Sequence, residues 1–300
     1  MTKQPLQDNP TTPEPASLEK GGKISQQELL EYLARQYDGV LSEDKIRSHI
    51  DNYVEESLAA LNLQEVLHFG QVERLLDIGC GFGSFVMLAR EAGIEAFGLD
   101  VAEFDVAYAR QRLGERLPGL DAEQVYKLAS GTSLPYADAS FDVVTLWNVL
   151  EHVRDWKTLL QEAGRVLRPG GRMHLICPNY AAFREEAHYY VFWPPLLPRP
   201  LASVYLRMLG RNPSFFETSI FYRTNLGTLA HLKRLGFWLK FPFEEKLTNP
   251  ERIVSRKGQM VVSLLQKTGL MAGARLLTRL AAWNPWKRVV SVVAVRGDNV

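Results

Sequence analysis

Cysteine is scarce in this chain: Cys80 and Cys177 are the only two in 300 residues. They stand far apart without partners at metal-ligand spacing, which argues against a disulfide framework or a zinc site. No metal is expected, and a reducing cytoplasm is the expected compartment. The first 23 residues lack the apolar core of a secretory signal. Acidic residues are absent from Arg252 to Gly297, a stretch that holds nine Lys and Arg. The net charge of +1 therefore conceals an asymmetry, with 5 acids against 17 bases from Ala187 onward and 29 against 18 before it. Such a basic end suggests an anionic partner. With 46% hydrophobic and 23% charged residues, the composition is that of a globular protein and excludes a disordered chain or a rod.

Residues 1–23 are rich in Pro, Thr, Gln and Gly and are expected to be a disordered tail. Ser25 to Glu28 reads as a capping box that opens a helix carrying Leu29, Leu30 and Leu33. Further helix is expected through Ile46, Ile50, Val54, Leu58 and Leu61. This N-terminal helical extension, residues 24–70, forms either a lid over the following domain or a cover for its sheet. From Val72 short apolar runs alternate with amphipathic helices, the pattern of a parallel sheet with crossover helices. Strands are expected at Arg74–Ile78, Glu95–Leu99, Gln124–Leu128, Phe141–Trp147, Arg172–Cys177 and Phe237–Phe241. Intervening helices centre on Phe85–Ala92, Phe104–Leu113 and Trp156–Val166. Two long insertions, about 179–222 and 247–286, interrupt this domain, which runs over residues 71–300.

The first strand ends in Asp77-Ile78-Gly79-Cys80-Gly81-Phe82-Gly83 and leads into a helix. Alternate glycines let backbone N–H groups approach a ligand, and the helix N-terminus adds positive potential. A dehydrogenase fingerprint would need its third glycine one residue later, where Ser84 stands. Asp100 closes the second strand, where a carboxylate can accept both ribose hydroxyls. The same position also suits a cap for the helix that follows.

Together with Leu134-Pro135-Tyr136, Asn148-Val149-Leu150-Glu151-His152-Val153 and Leu167-Arg168-Pro169-Gly170-Gly171, these elements resemble the class I S-adenosylmethionine-dependent methyltransferases, particularly the group that includes quinone-biosynthesis enzymes. The resemblance runs from about Leu75 to Asn179 and, more weakly, from Thr224 to Phe241. It implies a Rossmann-like α/β fold whose mostly parallel sheet has seven strands flanked by helices, with an antiparallel last strand at Val289–Val295. It also implies S-adenosylmethionine as cofactor. By position, Asp77 corresponds to the acid at the methionine end, and Gly79, Cys80, Gly81 and Gly83 to the turn beneath it. Asp100 with Val101 corresponds to the ribose site, and Asn148 to the wall of the methionine pocket. Ser130, followed by Gly131, stands where many members place an adenine-reading Asp, so the adenine contacts depart from the family pattern.

His152 is the candidate general base for a hydroxyl acceptor. Packing or acceptor positioning is the competing reading. His188, beside Tyr189 and Tyr190 in the first insertion, is a second candidate, and His174 reads as structural. The first insertion, aromatic and broken by prolines, is an expected acceptor cap or lipid-facing patch, with ordinary packing as the alternative. In the second, Met260, Val261, Leu264, Leu265, Leu276, Leu277 and Leu280 recur at helical spacing among bases, with Trp283 and Trp286 nearby. That pattern suits peripheral contact with an anionic membrane, against a helix packed on its own domain. No nucleic-acid motif accompanies it, so nucleic acid is not an expected partner. The expected activity is O-methylation of a hydrophobic or lipid-linked small molecule, such as a glycolipid sugar or quinone-type ring. The alternative is a non-catalytic scaffold of nucleotide-binding fold at a membrane surface.

Overall fold

The computed structural model describes residues 23–37, 46, 56–249, 253 and 256–297. The tail expected over 1–23 lies outside the described residues except Lys23, as do Ile50 and Val54. In chain order the elements begin with α1 (Gln26–Gln36), α2 (Ser57–His68), β1 (Arg74–Ile78), α3 (Ser84–Glu91), β2 (Glu95–Asp100), α4 (Glu103–Arg116), α5 (Ala122–Val125), β3 (Tyr126–Leu128) and β4 (Phe141–Trp147). Next come α6 (Trp156–Val166), β5 (Leu167–Pro178), a hairpin of β6 (Arg184–Glu186) and β7 (Val191–Trp193), α7 (Arg199–Met208) and α8 (Ser214–Ser219). The chain then forms α9 (Asn225–Arg234), β8 (Trp238–Lys240), α10 (Pro242–Thr248), α11 (Arg256–Lys267), α12 (Met271–Ala282) and β9 (Val289–Val295).

Seven strands form one sheet in the order β3-β2-β1-β4-β5-β9-β8. The five strands β1 to β5 run parallel, and β9 is antiparallel to both β5 and β8. The chain order reverses between β1 and β4, so a crevice opens at the carboxyl ends of these strands, where open α/β sheets bind ligands. One departure from expectation concerns β3. Residues 122–125 form a helical turn capped by Asp121, and the strand starts only at Tyr126. The Asp121 side chain accepts from the N–H groups of Glu123 and Gln124, which favours helix over extension there.

The two N-terminal helices take different roles. In α1 the capping box is present, with Ser25 and Glu28 bonded reciprocally, and Leu29, Tyr32 and Leu33 are buried. They join Phe82 of the glycine turn, Phe104, Tyr108, Tyr180, Tyr189 and Trp193 in a core above the crevice. Helix α2 instead packs Ala59, Leu63 and Val66 against Leu75, Phe85 and Val86 beneath the sheet. The helix expected through Leu58 and Leu61 is present, with both leucines exposed, because the buried face is the one carrying Ala59. The other face of the sheet buries Leu159, Leu160, Ala163 and Val166 of α6, each leucine worth roughly 1.5–3 kcal/mol of burial.

Candidate functional site

Three glycines make the turn after β1 possible, since all have positive φ: +74° at Gly79, +48° at Gly81 and +80° at Gly83. A Cβ on Gly79 would lie 2.4 Å from Val149 Cγ2, and one on Gly83 would strike the Tyr126 ring. At Gly81 the space a Cβ would occupy is open. The N–H groups of Gly79 and Cys80 donate to the Leu99 carbonyl at 2.8 and 3.0 Å, fastening the turn to β2. Asp100 completes the fastening: one carboxylate oxygen accepts from Gly81 N–H and the other from Ala102 N–H, each at 3.0 Å. The capping reading is not met, since the N-cap of α4 is Ala102 and no side chain caps it; Asp100 instead ties the glycine turn to the segment leading into α4.

Among the described residues no cation pairs with the acids of this crevice, of which Asp77 is buried and Asp100 and Asp105 are half-buried. The Asp77 carboxylate accepts from the Thr145 hydroxyl at 2.5 Å. Burial raises its pKa to about 7, with the nearby Asp100 adding to the effect. Burial also raises Asp100, against its backbone hydrogen bonds. Asp105, in the first turn of α4, is raised by burial and by Asp100 to about 8, and its Oδ1 is buried without a partner. None of the three is ion-paired among the described residues. Carboxyls crowded together without a counter-ion favour a positively charged ligand. A sulfonium carrying an α-ammonium group meets that requirement, and the open face of the glycine turn admits it. Asp105 was missed in the sequence because it reads there as an ordinary first-turn helix acid; only the fold brings Tyr32 of α1 to hydrogen-bond to its carboxyl, which partly offsets the rise in its pKa.

The remaining predicted residues fall around this crevice. Asn148 is exposed at the end of β4 and left-handed at φ +56°, and its N–H donates to the Ile176 carbonyl. Val101 is exposed. The Ser130 hydroxyl is 2.8 Å from that of Thr132, and a Cβ on Gly131 would lie 2.6 Å from Leu159. No carboxylate occupies the Ser130 position. His174 lies within β5 and is buried beside Phe69 and Trp147, in keeping with a structural role.

On the other side of Asn148 the structure joins both candidate histidines. Their rings lie 5.0 Å apart at 87°. His152 Nδ1 is 2.7 Å from the Ser219 carbonyl, which can only accept, so Nδ1 carries the proton and Nε2 is left with its lone pair. Burial, then the neighbouring His188, lower the His152 pKa to about 4. His188 Nδ1 is 3.0 Å from Glu186, whose carboxylate also accepts from Tyr180 OH and from the N–H groups of His188 and Tyr189. Burial would lower the His188 pKa, but Glu186 overrides it and the net shift is upward. Glu186, Arg184 and Arg223 carried no signal in the sequence, since only the β6–β7 hairpin and the chain after α8 bring them here.

Residues 76–175 match the methyltransferase domain family. A demethylmenaquinone methyltransferase of Geobacillus kaustophilus is 31% identical over 188 residues, 59% of this chain and 74% of that protein. The chain belongs to the class I S-adenosylmethionine-dependent methyltransferases. A 27-O-demethylrifamycin SV methyltransferase of Amycolatopsis mediterranei is 37% identical over 120 residues, 38% of this chain and 43% of that protein. An O-methyltransferase of Aspergillus sclerotiorum is 37% identical over 133 residues, 41% of this chain and 49% of that one. The chain thus spans a little under half the length of these last two relatives.

Proposed function

We propose that the protein is an S-adenosylmethionine-dependent methyltransferase that methylates an oxygen of a hydrophobic or lipid-linked small molecule. The observation that carries this reading is the crevice in which Asp77, Asp100 and Asp105 stand uncompensated above the glycine turn, with a neutral histidine beyond Asn148. When bound, the cofactor supplies an electrophilic methyl group on a cationic sulfur. Asp77 and Asn148 would hold its methionine end, the turn of Gly79, Cys80, Gly81 and Gly83 would pass beneath it, and Asp100 with Val101 would take the ribose. Ser130 and Gly131 would border the adenine. His152 Nε2 would accept the acceptor's hydroxyl proton. Aligning the two reactants in a dry crevice can remove roughly 7–11 kcal/mol of the barrier. The aromatic core of α1 and the first insertion is placed to exclude water. Calorimetry with S-adenosylmethionine, followed by a mass-spectrometric search for a metabolite that gains a methyl group, tests the reading. A protein that does not bind the cofactor would be a scaffold.

A second feature supports work at a membrane surface. In α11 and α12 only Val262 and Ala282 are buried, while Met260, Val261, Leu264, Leu276, Leu277 and Leu280 are exposed, as is Trp286. These apolar side chains face outward, and the stretch from Arg252 to Gly297 carries no acid, although Arg279 lies beside Glu244 and Glu245 of α10. Among the described residues no helix is long and apolar enough to cross a bilayer. A basic helical pair lying on anionic lipid fits both facts, at about 1 kcal/mol per base near the surface. Reversing Lys267, Arg275 and Arg279 to Glu should release the protein from anionic vesicles at low salt with cofactor affinity unchanged. Wild type that fails to sediment with those vesicles would contradict the membrane reading.

A further inference from the structure

The first insertion leaves the sheet at its carboxyl edge, directly after β5, and has two apolar faces. Its inner face is packed: Tyr180, Tyr189, Trp193, Leu206 and Phe216 are buried with Phe82 of the glycine turn in the core above the crevice. Its outer face lies in solvent. There Phe183 and Phe192 stack 5.7 Å apart on the exposed side of the β6–β7 hairpin. The Tyr205 hydroxyl donates to the Phe192 carbonyl at 2.7 Å and so joins the hairpin to α7. Along α7 the exposed Leu201, Val204 and Met208 recur at spacings of three and four, opposite the buried Ala202, Ser203 and Leu206. Met208 is 80% exposed. Between hairpin and α7, Leu196 is also exposed; it is held at φ +48°, with its N–H donated to the Tyr180 carbonyl at 2.7 Å.

Single exposed apolar residues are ordinary, whereas a continuous face marks an interaction site. Two observations say what it meets. The first is charge. From Ala187 to Arg223 one acid, Glu217, stands against Arg199, Arg207, Arg211 and Arg223, and Glu217 is itself paired with Arg207 at 3.2 Å. One exposed acid, Glu185, stands opposite Phe192 in the hairpin. The second is continuity with the basic helical pair. Asn179, where the insertion starts, donates to the Pro285 and Lys287 carbonyls, and Asn225, just after it, donates to those of Ala282 and Asn284. The segment they hold follows α12, carries the exposed Trp286 and runs into β9, whose Val289 pairs with Pro178 at the carboxyl end of β5. The ends of both insertions are thus fixed together at one edge of the sheet.

We propose that the outer face of the first insertion is a second membrane contact, seated in the interface of an anionic bilayer, and that it sets the roof of the crevice against the lipid. The inference rests on the membrane reading of α11 and α12 and adds to it a surface and an orientation. Pairing with a second copy would set the same excess of arginines against itself across an isologous contact, whereas anionic lipid compensates it. Interfacial binding grows with the apolar area buried as well as with charge, so the contribution of this face persists where that of the bases is screened.

Cosedimentation with vesicles of equal parts phosphatidylglycerol and phosphatidylcholine tests the contact at low salt and at about 1 M salt, where charges are screened within roughly 3 Å. The wild type should keep part of its binding at high salt. A variant combining Phe183→Gln, Phe192→Gln, Leu201→Gln and Met208→Gln alters exposed side chains only, and its partition should fall about tenfold or more at both salt levels. Hydrogen exchange of the wild type, which needs no variant, should slow in the hairpin and α7 when vesicles are added. Binding wholly lost at high salt, a variant that partitions like the wild type, or unchanged exchange in these elements overturns the second contact. If the Lys267, Arg275 and Arg279 reversals still release the protein, the reading of α11 and α12 survives that failure. Wild type that binds no vesicle at either salt defeats that reading and this inference with it. A wild-type dimer in sedimentation velocity that the four substitutions abolish would give the face to a second copy and overturn the lipid.

Discussion

The two sides of the crevice differ in the sign of charge they bury. Around the glycine turn, three carboxyls stand with no cation among the described residues, and burial pushes Asp77 to about 7 and Asp105 to about 8. Around His152, two arginines and the His188 imidazolium outweigh Glu186 and a Glu151 that burial raises to about 7. The two sides share β4 and the turn after it, and Asn148 stands between them. Transfer of a methyl cation equivalent from sulfur to oxygen begins with positive charge on the donor sulfur, and the acceptor oxygen carries negative character only as its proton leaves, before its lone pair forms the new O–C bond. On the proposed reading each side would meet the charge it receives with a fixed electrostatic environment, of the kind that usually contributes most to catalysis.

The largest expected effect lies on the acceptor side. If His152 takes the proton, His152→Ala should lower turnover about 10²–10⁴-fold while cofactor affinity measured by calorimetry holds. Near-normal turnover would reduce the residue to packing. On the donor side, Asp100→Ala removes a charged ribose acceptor and the anchor of Gly81 N–H. It should weaken S-adenosylmethionine by about ten- to hundredfold, or about 1.5–3 kcal/mol, and equal affinity for wild type and variant would remove Asp100 from the site. A smaller effect comes from Asp77→Asn. The raised Asp77 pKa means that the folded protein holds this proton between about pH 4 and pH 7 while the unfolded chain does not. The cofactor-free protein therefore loses stability as pH rises through that window. Asp77→Asn should raise the melting temperature at pH 8 by a few degrees in the absence of cofactor and weaken cofactor binding. A lower melting temperature would show that Asp77 is compensated after all.

What the sequence made legible follows from how local each signal is. The glycine turn, Asp77 and Asp100 lie at strand ends within 24 residues, and an unbroken pattern of apolar strands frames them. Strands β1, β4 and β9 fall at their expected bounds for the same reason. His152 was legible as a residue type next to Asn148, but its lowered pKa comes from burial and then from His188, more than 30 residues away on a hairpin whose course nothing local dictates. The sequence assigned no face to α2, and the structure buries Ala59, Leu63 and Val66 there while Leu58 and Leu61 stay exposed. Asp105 was hidden because a helix start welcomes an acid, and its hydrogen bond with Tyr32, arriving from another helix, is a tertiary contact.

The most direct test of the contrast between the two sides is calorimetric titration of S-adenosylmethionine between pH 5.5 and 7, repeated in buffers of different ionisation enthalpy and with Asp77→Asn. A buried Asp77 that must ionise to meet the cation predicts affinity rising about tenfold across this range, with a proton released at the acid end, and a flattened slope in the variant. Affinity independent of pH in the wild type, with no proton released, would contradict an uncompensated acidic cradle awaiting a cation.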